Sequence, residues 1–260
     1  MKKEIYYVGR SDGLGNRIEE IICLEAFFVN SNVSSYYIWN NQHAFRRYPI
    51  LLKSKSLVIT EQLEVKKGLT LMPSFSWGNL KKEDILKAAR NIKPSFDINF
   101  PNEIKPIGIH IRGTDRIGKD HPHFMKNKKE LYKYLNSTAY YINKSGEKDI
   151  FICSEDSSLK KRFLEQLKKD IKVIEPVVSK DVPSEYLDFF SLSKCKEIYM
   201  TTKFSTFSIG ASLIGNIPIH SFYYDEKVLT RYKANFEYKP LINSLKLLYS
   251  RFFNFCSFNK

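Results

Sequence analysis

Cysteine is scarce in this chain. Cys23, Cys153, Cys195 and Cys256 are the only four in 260 residues, with no CxxC pair and no Cys/His cluster. That pattern excludes a disulfide scaffold and a structural zinc site, and fits buried thiols in a reducing compartment. No run of 18 apolar residues occurs, which excludes a spanning helix by pattern. Acidic residues are few: 28 Asp and Glu against 42 Lys and Arg leave a formal charge of +14. Such a surface draws anions, whether nucleic acid, acidic lipid headgroups or phosphorylated small molecules. The common nucleotide fingerprints are missing too. Ile18 stands where G-x-G-x-x-G would place its third glycine, and no Gly-Lys-Ser/Thr makes a P-loop. No RRM, KH or zinc-finger signature accompanies the 14% aromatic content, so a basic nucleic-acid-binding protein stands only as an alternative of a different class.

What is present is globular, with 43% hydrophobic and 27% charged residues. The start, Met1-Lys2-Lys3 followed by Ile5 to Val8, is too short for a signal peptide and reads as a first strand. After it come a glycine loop and apolar residues at helical spacing (Ile18, Ile21, Ile22, Ala26, Phe27), then a second strand over Val33 to Trp39. Between 41 and 104 only a strand at Ser56 to Thr60 and a charged helix at Lys81 to Ile92 stand out. From 105 to 225 strands and helices alternate closely. Strands are expected at Ile107 to Ile111, Asp149 to Cys153, Ile171 to Ile174, Glu197 to Thr201 and Pro218 to Phe222. Helices are expected at Lys128 to Asn143, Leu159 to Lys169, Ser184 to Lys194 and Phe207 to Ile214. This alternation calls for parallel βαβ units. The tail from Lys227 to Lys260 carries seven Lys or Arg against Glu237 alone, and Leu241, Leu245, Leu248 and Phe252 share one helical face. That face fits either packing on the body or contact with an anionic membrane.

In open α/β sheets ligands bind beyond the carboxyl ends of the strands, and four polar loops follow strands here. Gly13 and Gly15 permit a tight turn, and the helix after them offers free N–H groups. His110 and Arg112 fall on one side of their strand, with Ile109 and Ile111 on the other. Arg112 suits bidentate phosphate binding, and Asp115 is placed to orient Arg112 or Arg116. Asp156 reads as a helix cap or as a carboxylate accepting from a guanine edge. Ser205, Thr206 and Ser208 open a helix as a plain cap or as a second phosphate site. His121 and His123 read as exposed loop histidines.

The run His110-Ile111-Arg112-Gly113-Thr114-Asp115-Arg116-Ile117-Gly118-Lys119-Asp120 resembles the His-x-Arg-Arg-Thr-Asp-Lys-x-Gly-x-Glu signature of the α-1,6-fucosyltransferases. It is also similar to the shorter His-x-Arg-x-x-Asp motif of α-1,2- and protein O-fucosyltransferases. Gly13-Leu14-Gly15-Asn16, the stretch Ile150 to Leu159 and Ser205-Thr206-Phe207-Ser208 resemble family segments in the same order. The resemblance implies an α/β, GT-B-like fold of two Rossmann-like domains with mostly parallel sheets. The expected division is 1–104 on the acceptor side, 105–225 for the GDP-sugar, and a basic aromatic helical tail over 226–260.

The resemblance further implies inverting, metal-independent transfer of fucose from GDP-fucose to a glycan hydroxyl. Arg112 would take the β-phosphate beside His110, Asp156 would read guanine, and Ser205, Thr206 and Phe207 would hold the diphosphate. Gly13, Gly15 and Asn16 would lie near the pyrophosphate. Without a metal, the leaving charge must meet cations and helix N-termini, with Arg112, Arg116 and Lys203 as candidates. Asp120 is the expected catalytic base and Asp12 the second choice. Gly113 departs from the second Arg of the pattern, Arg116 from its Lys and Asp120 from its Glu. Another GDP-sugar, such as a GDP-heptose, fits the same reading. The expected acceptor is a surface polysaccharide or lipid-linked oligosaccharide. The expected place is the cytoplasm or the inner face of the plasma membrane, with anionic lipid touched by the tail and no nucleic-acid partner.

Overall fold

The computed structural model describes residues 4–31, 33–41, 47–61, 70–71, 80–113, 117–118, 121–179 and 181–242. The first third of the chain folds as β1 (Glu4–Val8), α1 (Leu14–Phe28), β2 (Ser34–Ile38), β3 (Leu52–Lys53), β4 (Leu57–Thr60), β5 (Thr70–Leu71) and α2 (Lys82–Arg90). Short strands β6 (Lys93–Pro94) and β7 (Ile98–Asn99) lead into β8 (Ile107–Ile111), α3 (Lys128–Ser145), β9 (Asp149–Ser154), α4 (Ser157–Leu164), β10 (Lys172–Val173) and β11 (Val177–Val178). The chain continues through α5 (Ser184–Lys194), β12 (Glu197–Met200), α6 (Thr206–Gly215), β13 (Ile219–Ser221), α7 (Glu226–Tyr232) and β14 (Phe236–Tyr238).

Two parallel sheets result, as the βαβ alternation predicts. The first has the order β4-β2-β1-β5 and the second β10-β9-β8-β12-β13-β14. Counted from β8, the second order is that of a dinucleotide-binding Rossmann sheet. Its strand order reverses between β8 and β12, which places the ligand crevice there. Thr201 donates its N–H (3.1 Å) and its hydroxyl (2.9 Å) to the His110 carbonyl, fixing the two strand ends side by side.

Alternation along these strands sorts side chains into two cores. Ile107, Ile109, Ile111, Ile150, Ile152 and Tyr199 pack with α3 and α4. Phe151, Cys153, Ile198 and Met200 face the other way, against α5 and α6. That second core continues without a break into α1, α2 and the buried Tyr7 and Tyr37 of the first sheet. The burial of each large side chain in it contributes roughly 1.5–3 kcal/mol.

Contact between the sheets is closest where α1 meets α6. A Cβ on Gly15 would lie 2.7 Å from the Phe207 nitrogen and 2.8 Å from its Cα, so only glycine fits. One residue on, Asn16 Oδ1 accepts a 2.6 Å hydrogen bond from the Thr206 hydroxyl. The loop before α1 is held from below by Glu20. Its buried carboxylate accepts from Tyr7 (2.9 Å), Tyr37 (2.8 Å) and the Arg10 N–H (3.0 Å).

Two parts of the chain differ from the sequence expectation. Helix α4 starts two residues early because Asp156 caps it, and ends at Leu164 in tightened i−3 bonds instead of running to Lys169. The tail is not wholly helical. After α7, Lys233 takes a left-handed turn (φ 52°) and β14 adds a sixth parallel strand beside β13. Three residues are too few for a strand pattern to show. Leu241 packs on the second core and the Ile242 N–H donates to Ser137 Oγ at 3.0 Å. Leu245, Leu248 and Phe252, and with them the expected membrane-facing helix, lie outside the described residues.

Gly15→Ala is expected to destabilise the fold by about 1–3 kcal/mol through overpacking against backbone, read as a lowered Tm. Burial raises the Glu20 carboxyl above its ordinary value, against the hydrogen bonds from Arg10, Tyr37 and Tyr7. A raised folded pKa stabilises fully below the unfolded value and is lost as pH rises through the folded one. Wild-type Tm is therefore expected to fall relative to that of Glu20→Gln between pH 4 and pH 8, measured by thermal melts across that range.

Candidate active site

The loop after β1 is held by a hydrogen-bond network in which, among the described residues, the buried Asp12 Oδ1 and Arg17 Nη2 have no partner. Asp12 Oδ2 accepts from Asn16 Nδ2 at 2.7 Å and pairs with the Arg10 guanidinium at 2.6 Å. The Asp12 carbonyl accepts from Arg17 Nε at 2.9 Å. Arg17 is fully buried, its guanidinium 4.9 Å from the Trp39 ring and 5.2 Å from the Tyr48 ring, with NH1 on Asn41 Oδ1 at 3.1 Å. Asp12, the second choice as a base, thus holds Arg10 and Asn16 in place. Gly13 is the N-cap of α1 and brings no side chain to it, and no acid lies in the first turn. The acid nearest this helix end is Asp12, one residue before the cap, whose Oδ2 reaches Asn16 in the first turn.

At the carboxyl end of β8, His110 is buried, with Nδ1 2.6 Å from Ser208 Oγ and 3.5 Å from Ser205 Oγ. Its ring lies against Phe207, centroids 5.1 Å apart. Ser205 caps α6 by accepting from the Ser208 N–H at 3.4 Å. These hydroxyls hold the histidine and the helix start. What α6 presents for an anion is the N–H groups of its first turn, Thr206 and Phe207, which have no acceptor inside the helix. Its first turn also lacks an acid. Arg112, half-buried, follows β8 directly at the crevice between β8 and β12.

Gly113 is closely packed. A Cβ there would lie 2.3 Å from Leu159 Cδ1, so any side chain at 113 must displace that methyl group. Asp115, Arg116 and Asp120 lie outside the described residues.

Asp156 forms the cap that is one of its two expected readings, and Lys203 differs from its expected role. Asp156 caps α4: its Oδ1 accepts from the Ser158 N–H (2.9 Å), Ser158 Oγ (2.6 Å) and the Leu159 N–H (3.1 Å). The Ser158 hydroxyl and the Leu159 amide hold this carboxyl below its ordinary value, so it is ionised at neutral pH. All three bonds fall on Oδ1, and Oδ2 takes part in none of them. Lys203 is not an open cation. Its Nζ pairs with Glu130 at 3.1 Å and lies 5.5 Å from the Tyr223 ring, and its side chain is only 10% exposed.

The N-termini of α1 and α6 border a cleft of about 380 Å³. Asn16 and Thr206 line it, with Arg10, Glu19, His121, His123, Phe204, Lys227 and Arg231. The histidines are a residue class the sequence reading undervalued. Ile117 bridges to Met125, and the Gly118 N–H donates to the Met125 carbonyl at 2.9 Å. Met125 is fully buried, so the loop between is pinned at its neck. His121 is exposed, but His123 is carried into the cleft and packs on Phe204, centroids 5.0 Å apart. Only the pairing of 117 with 125 would have shown this, and no residue pattern marks it. Among the described residues, no group of three or more His, Cys, Asp and Glu side chains is placed to hold a metal ion, and no helix is long and apolar enough to cross a membrane.

No protein-family model matches the sequence, and no curated protein matches it significantly. Solved structures do match. The fucosyltransferase NodZ from Bradyrhizobium aligns with a TM-score of 0.55 at 13% identity, over 85% of this chain and 96% of that one. NodZ α-1,6-fucosyltransferase soaked with GDP-fucose gives 0.51 at 12%, over 84% and 94%. POFUT1 in complex with GDP gives 0.52 at 12%, over 83% and 95%. The chain has the GT-B-like fold of these fucosyltransferases.

Proposed function

We propose that this protein is a glycosyltransferase that moves fucose from GDP-fucose to a hydroxyl of a glycan. The observation that carries the reading is the convergence of two helix N-termini, neither with an acid in its first turn, at the switch point of a Rossmann sheet whose strand β8 is followed by Arg112. The fold neighbours with GDP or GDP-fucose bound support it.

In this reading the diphosphate lies against the Thr206 and Phe207 N–H groups, with Arg112 forking onto the β-phosphate. His110 packs under Phe207 and keeps the helix start rigid. As the sugar–phosphate bond breaks, negative charge grows on the leaving oxygen. Fixed N–H groups and a guanidinium meet that charge without reorganising. Asp156, ionised and with Oδ2 outside its cap, is assigned to the guanine N1–H and amino group. Asp115 and Arg116 keep the donor-side roles that the family pattern gives them. We also propose the division into an acceptor-side unit (1–104) and a donor-side unit (105–225). A lipid-linked or surface glycan acceptor is the partner that the basic tail favours, reached from the cytoplasmic face.

Thermal melts with GDP, UDP, CDP and ADP test the donor class. GDP alone is expected to raise Tm, by about 2.7 kcal/mol of stabilisation at a hundred times Kd, with or without EDTA. A rise with UDP instead, or one that EDTA abolishes, sinks the GDP reading. Arg112→Ala is expected to lose the GDP-induced rise and to lower kcat/KM for GDP-fucose by about 100-fold or more. Faster turnover of GDP-mannose or a GDP-heptose than of GDP-fucose would keep the fold and replace the sugar.

A further inference from the structure

Transfer to a hydroxyl needs a group that takes its proton, and the described residues offer one the sequence reading set aside. His123 lines the cleft beside Asn16 and Thr206, the two residues that join the strand-end loops. Its Nδ1 lies 3.8 Å from Asp225 Oδ2, with the two side chains 25% and 19% exposed. Asp225 is itself fixed. Its Oδ1 caps α7 by accepting from the Lys227 N–H (2.9 Å) and the Val228 N–H (3.2 Å), and Oδ2 is the oxygen near the histidine. The imidazole is positioned on its other sides by Phe204 and by His121, centroids 5.0 and 5.1 Å away. A base, a carboxylate that orients it and a cleft to hold the reacting atoms are the parts of a proton-abstracting pair. Pairs of this kind are often long before substrate binds.

We propose that His123, oriented by Asp225, is the general base that deprotonates the acceptor hydroxyl. The inference rests on the donor reading given above. With Nδ1–H turned to Asp225, Nε2 is the basic atom. Nε2 takes the hydroxyl proton as the oxygen bonds to the sugar carbon. The bond from that carbon to the diphosphate breaks, and its electron pair leaves with GDP. The imidazolium, beside the Asp225 carboxylate, then releases the proton to water. The other charged and titratable groups lining the cleft are Arg10, Glu19, His121, Lys227 and Arg231, and Glu19 is paired with Arg231 at 3.1 Å. Asp12 Oδ2 is committed to Arg10 and Asn16, and with its buried Oδ1 unpartnered among the described residues Asp12 is a competing base too. Asp120 is the competing base that the family pattern supplies.

The test measures GDP release from GDP-fucose with water as acceptor, alongside GDP-induced thermal stabilisation. His123→Ala is expected to keep the stabilisation and lose about 100-fold or more in rate, with partial rescue by added imidazole. Asp225→Asn keeps a good helix cap and removes the charge, so the fold survives. It is expected to lower the rate about 10-fold or more and to move the acid limb of the pH–rate profile, which a purely structural role would not do. A His123→Ala rate within threefold of wild type overturns the proposal, as does an unmoved acid limb in Asp225→Asn. So does loss confined to Asp120→Asn. Wild-type protein that binds GDP but releases none from GDP-fucose also overturns it, since the pair would activate water, and leaves donor binding standing. Wild-type protein that shows neither effect overturns the donor reading and this one together.

Discussion

Two helices that point their amino ends at the same place repel each other, and α1 and α6 do this without an acid in either first turn. The fold pins them together by contact alone. Gly15 lies on the backbone of Phe207, and the Asn16 amide bonds the Thr206 hydroxyl. The shared core under α1, α2, α5 and α6 provides the apolar burial that holds this arrangement. In the proposed reading, the opposing positive ends are a standing potential that a diphosphate neutralises.

Most polar side chains around this point serve the frame. Asp12, Asn16, Arg17 and Glu20 tie the β1 loop to α1 and to the next strand ends. Ser205 and Ser208 serve His110, and Lys203 serves Glu130. The groups left to face a ligand are backbone amides and long side chains at the rim. That division matches the chemistry required. Backbone N–H groups are rigid donors for a charge that appears during reaction, whereas a mobile hydroxyl must first be ordered.

The parallel sheets were legible because βαβ alternation writes itself in apolar runs. Ile107 to Ile111 and Ser184 to Lys194 fall where the pattern predicts. That His110 faces α6 followed from period-two alternation near a strand end. Three things were not legible, each for a physical reason. The three residues of β14 carry too short a pattern. Gly113 lies against Leu159, which is far along the chain and close only in space. The placement of His123 depends on the bridge from Ile117 to Met125, a backbone pairing that no side-chain type encodes.

That bridge has a consequence for how such a protein changes over time. The loop from 118 to 124 leaves and returns at one pinned neck, with Met125 sealed in the core. Adding or removing residues beyond the neck alters loop-closure entropy only slightly, about 0.6 kcal/mol for each doubling of length. The loop can therefore change in length while the sheet and helices α1 and α6 stay as they are, provided His123 keeps its place against Phe204. Under the proposed function, acceptor preference is the property that such changes would alter.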